Sequence, residues 1–202
     1  MKRNKRGILR LMTICGAALL LLAALIVMDP IIKGKRAAAG LQKIAETLDC
    51  MLPGHDTAGF SETLPYMPIL VYEKTDYSAL LDFDRLHFSF PVREAPDGDD
   101  GTKGPFRSSG SVYENTLVIG GMNIGGQFGF FDQLDISDTL RVTDMRGRVF
   151  FYEITAVKRP KNPDWDALRE QGADLILYSY TPYRTEYRIV MCRRIQQFET
   201  GT

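Results

Sequence analysis

The chain has 202 residues, 25 Lys+Arg against 25 Asp+Glu, 45% hydrophobic and 10% aromatic side chains, and three cysteines. That is enough for one domain, or one domain with an appendage, around a real core; it excludes a disordered chain, a collagen-like repeat and a disulfide scaffold. The zero net charge hides a segregation: residues 1–36 hold eight basic side chains and the single acid Asp29, which leaves 17 basic and 24 acidic residues in 37–202. A body carrying about −7 is poorly matched to a phosphate backbone, so nucleic acid is excluded as a partner.

Leu11–Met28 is an 18-residue run without a charge. As a helix it spans roughly 27 Å, close to the ~30 Å of bilayer hydrocarbon. Five basic residues precede it and three follow. This predicts a single-pass anchor over 11–30, a cytoplasmic basic segment at 1–10, and the remainder outside the cell membrane. A cleaved signal peptide is the competing reading; the apolar run is long for one, and the small residues Ala37-Ala38-Ala39 lie only some way downstream.

Beyond the span, Leu41, Ile44 and Leu48 recur at helical spacing and predict a juxtamembrane helix over 36–49. Residues 51–68 carry three prolines and two glycines without a period and read as a linker, so that 31–75 forms a helix and arm. From 76 to 202 the chain reads mostly as strand. Leu86, Phe88, Phe90 and Val92 alternate onto one face, with Pro91 demanding an edge or a strand end. Residues 95–110 read as a polar, Gly-rich loop, and 116–120 as a short apolar strand. Thr139–Asp144 and Arg148–Val157 read as a hairpin turning at Met145-Arg146-Gly147. A short helix opens at Asn162-Pro163-Asp164-Trp165, with Asn162 or Asp164 as cap and Gly172 past its end. Leu175–Tyr180 and Glu186–Cys192 are two further strands. Short sequential strands with few helices predict a closed or nearly closed β-barrel.

Cys50 and Cys192 permit one bridge in an oxidising compartment, but no CxxC or Cys/His cluster marks a zinc site, and no cofactor is indicated. Asp97, Asp99 and Asp100 lack the spacing of a calcium loop and read as a solvated acidic stretch. His55 reads as a loop histidine and His87 as an edge one. Trp165, Tyr178, Tyr180 and Tyr183 form either an aromatic ligand surface or core and rim packing.

The segment Asn115–Asn123 with the following GGQFGFFDQL resembles the part of sortases where a strand ends in Gly-His-Asn before a Phe-x-x-Leu helix. Asp174–Tyr183 resembles their strand ending Leu-x-Thr-Cys-Thr-Pro-Tyr, and Tyr187–Val190 the strand that carries the family arginine. Asp82–Val92 with the Gly-rich loop is similar to the opening of the class B type. The resemblance covers about residues 76–194 and implies an eight-stranded sortase-like β-barrel with short helices behind an N-terminal transmembrane helix.

Sortases are cysteine transpeptidases on the outer face of Gram-positive membranes. The resemblance sets Met122 where the family has histidine and Tyr180 where it has cysteine, and keeps Arg188 at the oxyanion-type position. A thioether has no proton to give, and a phenol of ordinary pKa ~10 is a poor nucleophile at neutral pH. Asn123 and Ser179 remain as binding candidates: Asn123 can hydrogen-bond a peptide, while strand alternation turns Ser179 away from Tyr180. Cys192 lies on the face of Arg188 but about 13 Å along the strand. Three readings follow. One is a degenerate, non-catalytic member that binds or scaffolds in cell-surface protein attachment, with sorting-signal peptides or an active sortase as partner. Another is a transpeptidase with an unconventional nucleophile, and the third an unrelated anchored β-rich envelope module. An open cleft favours a peptide partner; a cleft filled by Tyr180 favours a structural role.

Overall fold

A computed structural model of the chain describes residues 15–20, 34–54, 66–95, 101–181 and 185–195. The apolar run at 11–28 lies mostly outside these residues; its described part, 15–20, is helical and exposed. Among the described residues no helix is long and apolar enough to cross a membrane. His55, Tyr183 and the acidic stretch with Asp97, Asp99 and Asp100 also lie outside the described residues.

The strands are β1 (Leu70–Tyr72), β2 (Thr75–Phe83), β3 (Phe88–Glu94), β4 (Phe106–Ser109), β5 (Leu117–Met122), β6 (Thr139–Asp144), β7 (Val149–Lys158), β8 (Leu175–Tyr180) and β9 (Tyr187–Ile195). Their sheet order is β1-β2-β3-β4-β5-β8-β9-β7-β6, and β6 returns to pair with β2. The pairing of β2 with β6 closes β2–β9 into an eight-stranded barrel, with β1 as an added strand. A 3-10 helix at Phe128–Gln133 joins β5 to β6. Residues 34–51 form helix α1, and Trp165–Glu170 form α2.

Three sequence expectations need correction. The stretch 95–110 is not all loop, because Phe106–Ser109 is strand β4: Arg93 and Glu94 pair with Phe106 and Arg107 in parallel. A two-residue register is too short to leave a period in the sequence. Leu86 belongs to the turn before β3, with only Phe88 onward in the strand. The sheet also starts at Leu70, inside the stretch expected as arm. Pro91 sits inside β3, opposite Leu80, yet β4 joins β3 only at Arg93, so the proline lies where its other side has no strand to bond. The bridge left open by the cysteine count is not formed: Cys50 and Cys192 are free, one exposed and the other buried.

Helix α1 does more than lead into the domain. Its Ala45 and Leu48 are buried against Tyr77 and Leu80 of β2 and Met145 of the β6–β7 turn. Inside the barrel, Leu81, Phe83, Phe90, Leu140, Val142, Phe150, Leu177 and Val190 share one core with Phe128, Phe130 and Phe131 of the 3-10 helix. Phe128 stacks on Phe131 with centroids 4.5 Å apart and meets Phe90 edge-on at 5.8 Å. Fully burying each such ring is worth roughly 1.5–3 kcal/mol. Asp164 caps α2, its Oδ1 accepting from Ala167 N at 3.1 Å, and Gly172 ends it with φ +76°.

Candidate functional site

Strands β5 and β8 run parallel side by side and end together, with Met122 opposite Tyr180. Asn123 N donates to Tyr180 O at 2.8 Å and carries the pairing one residue beyond β5. The Gly120-Gly121 pair in β5 sets what can approach. A Cβ on Gly120 would lie 2.5 Å from the Tyr178 ring and 2.8 Å from Phe106, and one on Gly121 would lie 2.7 Å from Phe128. The two missing side chains let aromatic rings close on both faces of the strand.

On the outer face, Met122, Tyr180 and Phe106 form a buried cluster joined by Ala95, Ile124, Tyr178 and Tyr187. Tyr180 is 4% exposed. Its ring lies 6.1 Å from Tyr178 and 6.3 Å from Tyr187, while Trp165 of α2 meets Tyr178 edge-on at 4.9 Å. The described aromatics therefore pack against one another, the second of the two readings left open for them.

The segment at Gly101 lies directly over this cluster. A Cβ there would come within 2.5 Å of the Tyr180 hydroxyl oxygen, and the residue has φ +70°, so the position suits glycine twice over. Gln127 fastens the arrangement. Its Oε1 accepts from Met122 N at 3.0 Å, and its Nε2 donates to Gly101 O at 3.0 Å and Thr102 O at 3.3 Å. The side chain is 4% exposed, so it ties β5, the 3-10 helix and the covering segment together in a site shielded from competing water. Sequence reading missed Gln127; the only signal was a lone amide in the otherwise glycine- and aromatic-rich run GGQFGFF.

Ser179 and Arg188 are opposite one another on β8 and β9, whereas Tyr180 is opposite Tyr187. Strand alternation thus puts Ser179 and Arg188 on the face away from Tyr180. Arg188 Nε donates to Asp132 Oδ1 of the 3-10 helix at 2.8 Å, and Arg159 meets the same oxygen at 2.8 Å. The structure brings Met122 and Tyr180 together but sets Arg188 apart from them. Ser179 is fully buried, and its Oγ has no hydrogen-bond partner among the described residues. Cys192 is also fully buried, and burial pushes its thiol far above the range in which a thiolate forms at neutral pH. Asn123 is half-buried at the edge of the cluster. His87 lies on the exposed β2–β3 turn with φ +51°. No group of three or more His, Cys, Asp or Glu among the described residues could hold a metal ion.

No protein-family model and no curated protein matches the chain. Solved structures do. A lid mutant of sortase A from Corynebacterium diphtheriae is similar with TM-score 0.52 and 15% identity, over 83% of this chain and 98% of that one. Sortase C-1 from Actinomyces oris gives TM-score 0.51 and 22% identity over 80% and 99% of the two chains. Sortase C from Streptococcus pneumoniae gives 0.52 and 17% over 83% and 92%. These are class A and class C structures rather than the class B that Asp82–Val92 resembles. The likeness extends over most of each chain, and the architecture described above is the sortase fold.

Proposed function

We propose that this chain is a non-catalytic, sortase-like barrel with a structural or scaffolding part in attaching proteins to the cell surface. The observation that carries the reading is Tyr180: at the position where the resemblance expects a nucleophilic cysteine, a phenol ring is buried beneath Gly101 and held among Met122, Phe106 and Tyr187. A thiolate enzyme needs an ionisable sulfur, a proton donor and a cation converging on one carbonyl. Here the first two positions hold a phenol and a thioether, and Arg188 is committed to Asp132. The filled cleft favours a protein partner, an active sortase or the proteins it processes, over a free sorting-signal peptide lying across Tyr180. The uncharged run at 11–28 supplies the anchor in this reading, with residues 1–10 in the cytoplasm and the barrel outside.

The test is mass spectrometry of the full chain incubated with sorting-signal peptides and an amine acceptor. The expected result is intact peptide and no acyl adduct on the protein. An adduct on Ser179, Tyr180 or Cys192, or a peptide–amine product, overturns the non-catalytic reading. The Met122→His/Tyr180→Cys variant is expected to stay inert as well, because Arg188 remains on the other face of β9.

A further inference from the structure

A sizeable opening lies where the first half of α1 crosses the β2–β3 hairpin. It is a trough of about 480 Å³ between Ala38 and Ala39 of α1, Phe88 and Phe90 of β3, and Ile124 and Phe130. That size falls within the range of small-molecule sites. Phe88 is 41% exposed although its ring rests on Phe130 at a centroid distance of 4.9 Å, so its outer side faces the opening. The polar groups in the trough are few, and the amides of Gln42 and Gln133 are among them. Gln42 Oε1 accepts from Ser89 N at 3.4 Å, which fixes α1 against β3 and keeps the space between them open.

A second hollow of about 470 Å³ adjoins it, and His87, Phe88 and Ser89 line both. Phe88 and Ser89 point to opposite faces of β3, so the two hollows meet around the edge of the strand that β4, joining only at Arg93, leaves open. The chemistry of the second hollow is different. Asp82 is opposite Ser89 on one side and Arg141 on the other, so these side chains share the outer face of the sheet. Arg141 Nε lies 3.2 Å from Asp84 Oδ1, a distance for an ion pair, but without the alignment of a hydrogen bond. Arg141 is thus engaged with Asp84, and Asp82 has Ser89 as its hydrogen-bond partner. Two carboxylates against one guanidinium leave this end negative, and Asp49 of α1 adds to the same field. Burial raises the Asp82 carboxyl pKa, with the Ser89 bond and Arg141 acting against that rise. A ligand cation beside Asp82 relieves the desolvation of its charge.

We propose that this two-part trough is a binding site for a small amphipathic cation, its apolar body among Ala39, Phe88 and Phe130 and its ammonium at Asp82. Charge complementarity selects the occupant. An anion meets Asp82 and Asp84, and a purely apolar molecule leaves the acidic end unsatisfied. Ile124 and Gln127 border both this site and the Tyr180 cluster. The residues proposed to hold the ligand, Asp82, Ala39, Phe88 and Phe130, are not part of that cluster, and the proposal does not depend on the function proposed for it.

Three probes of one shape test this on the full chain by titration calorimetry: 4-phenylbutylamine, 4-phenylbutanol and 4-phenylbutyrate. The amine is expected to bind with a Kd of about 1 mM or tighter. The alcohol should be roughly tenfold weaker and the carboxylate weaker still, a discrimination of the size a half-buried charge pair supplies. Asp82→Asn should lower amine affinity to that of the alcohol while leaving the alcohol unchanged. Ala39→Phe, which places a ring in the trough from the exposed side of α1, should weaken amine and alcohol together; thermal unfolding checks that each variant is folded. Equal binding of all three probes, amine binding indifferent to Asp82→Asn, or no amine binding below about 10 mM overturns the proposal.

Discussion

The face around Tyr180 and the trough beside α1 lie on either side of the loop that follows β5, and they use the same residue types to opposite ends. Around Tyr180, aromatic rings from β4, β8, β9 and α2 close on each other, two glycines remove the side chains that would hold them apart, and Gln127 pins a covering segment over the result. Beside α1, Phe88, Phe90 and Phe130 stack on one side only, and small alanines on the helix leave the other side open. Aromatic content therefore says little about where a ligand surface lies. What decides it is whether the element facing the rings presents bulk or space, and in this molecule the space is at the α1 side.

The largest expected effect separates the two faces directly. Tyr180→Ala should destabilise the protein by about 3 kcal/mol, the cost of a cavity at a packed site, whereas Phe88→Ala should cost about 1 kcal/mol or less, because that ring is already partly in water. Urea unfolding midpoints compare them. Equal losses would mean that the Tyr180 face is as loose as the trough. Next comes Gln127→Ala, which leaves Met122 N and the Gly101 carbonyl without their amide partner. About 2 kcal/mol should be lost, and hydrogen exchange should accelerate at 101–104 more than in the 3-10 helix. Exchange that rises uniformly would make Gln127 an ordinary core residue and not a fastener for the covering segment. Asp132→Asn is smaller, about 0.5 kcal/mol, since the Asp132 carboxylate is 43% exposed and its two arginines can turn to water.

How much of this was legible in the sequence depended on how many neighbours each strand has along its length. Thr139–Asp144 and Leu175–Tyr180 have the same bounds in sequence and structure, since each is short and paired throughout, the first with Leu140 and Val142 alternating into the core and the second a nearly continuous apolar run. Strand β2 gave no clean period because it changes partner midway: Thr75–Tyr77 pair with β1, and Ala79–Phe83 pair with β6. Its burial follows that switch, with five consecutive buried residues from Tyr77 to Leu81, then half-buried Asp82 and buried Phe83. The site divided in the same way. That Met122 and Tyr180 belong to one site followed only from the resemblance, and their pairing from the structure, whereas the turning away of Ser179 followed from period two. The same period separates Arg188 from Tyr180, yet that was visible only once the register of β8 on β9 was known. Gln127 and the trough depend on which loop packs over which strand, information that no local pattern carries.

The smallest effects have opposite signs at two aspartates flanking the same hairpin, and acidity tells them apart. Asp138 accepts from Arg85 Nε at 2.7 Å, and this bond is the main reason its carboxyl lies below the ordinary range; burial opposes it, and a backbone bond at Asp135 and the Arg85 charge add to the lowering. A depressed folded pKa contributes stability above the unfolded value near ~4, which is lost as pH falls through the folded value. Asp82 is the reverse case. Burial raises its carboxyl, so the folded state favours the protonated form, and ionisation costs stability as pH rises from the unfolded value through the folded one. Asp138→Asn should therefore be less stable than the parent at pH 7 and converge with it on acidification. Asp82→Asn should be as stable as the parent or more so at pH 7, with any advantage vanishing in acid. Chemical denaturation at several pH values reads both. A loss at pH 7 for Asp82→Asn comparable to that for Asp138→Asn would mean that Arg141 compensates the Asp82 charge within the fold, and the acidic end of the trough would then have no deficit for a cation to fill.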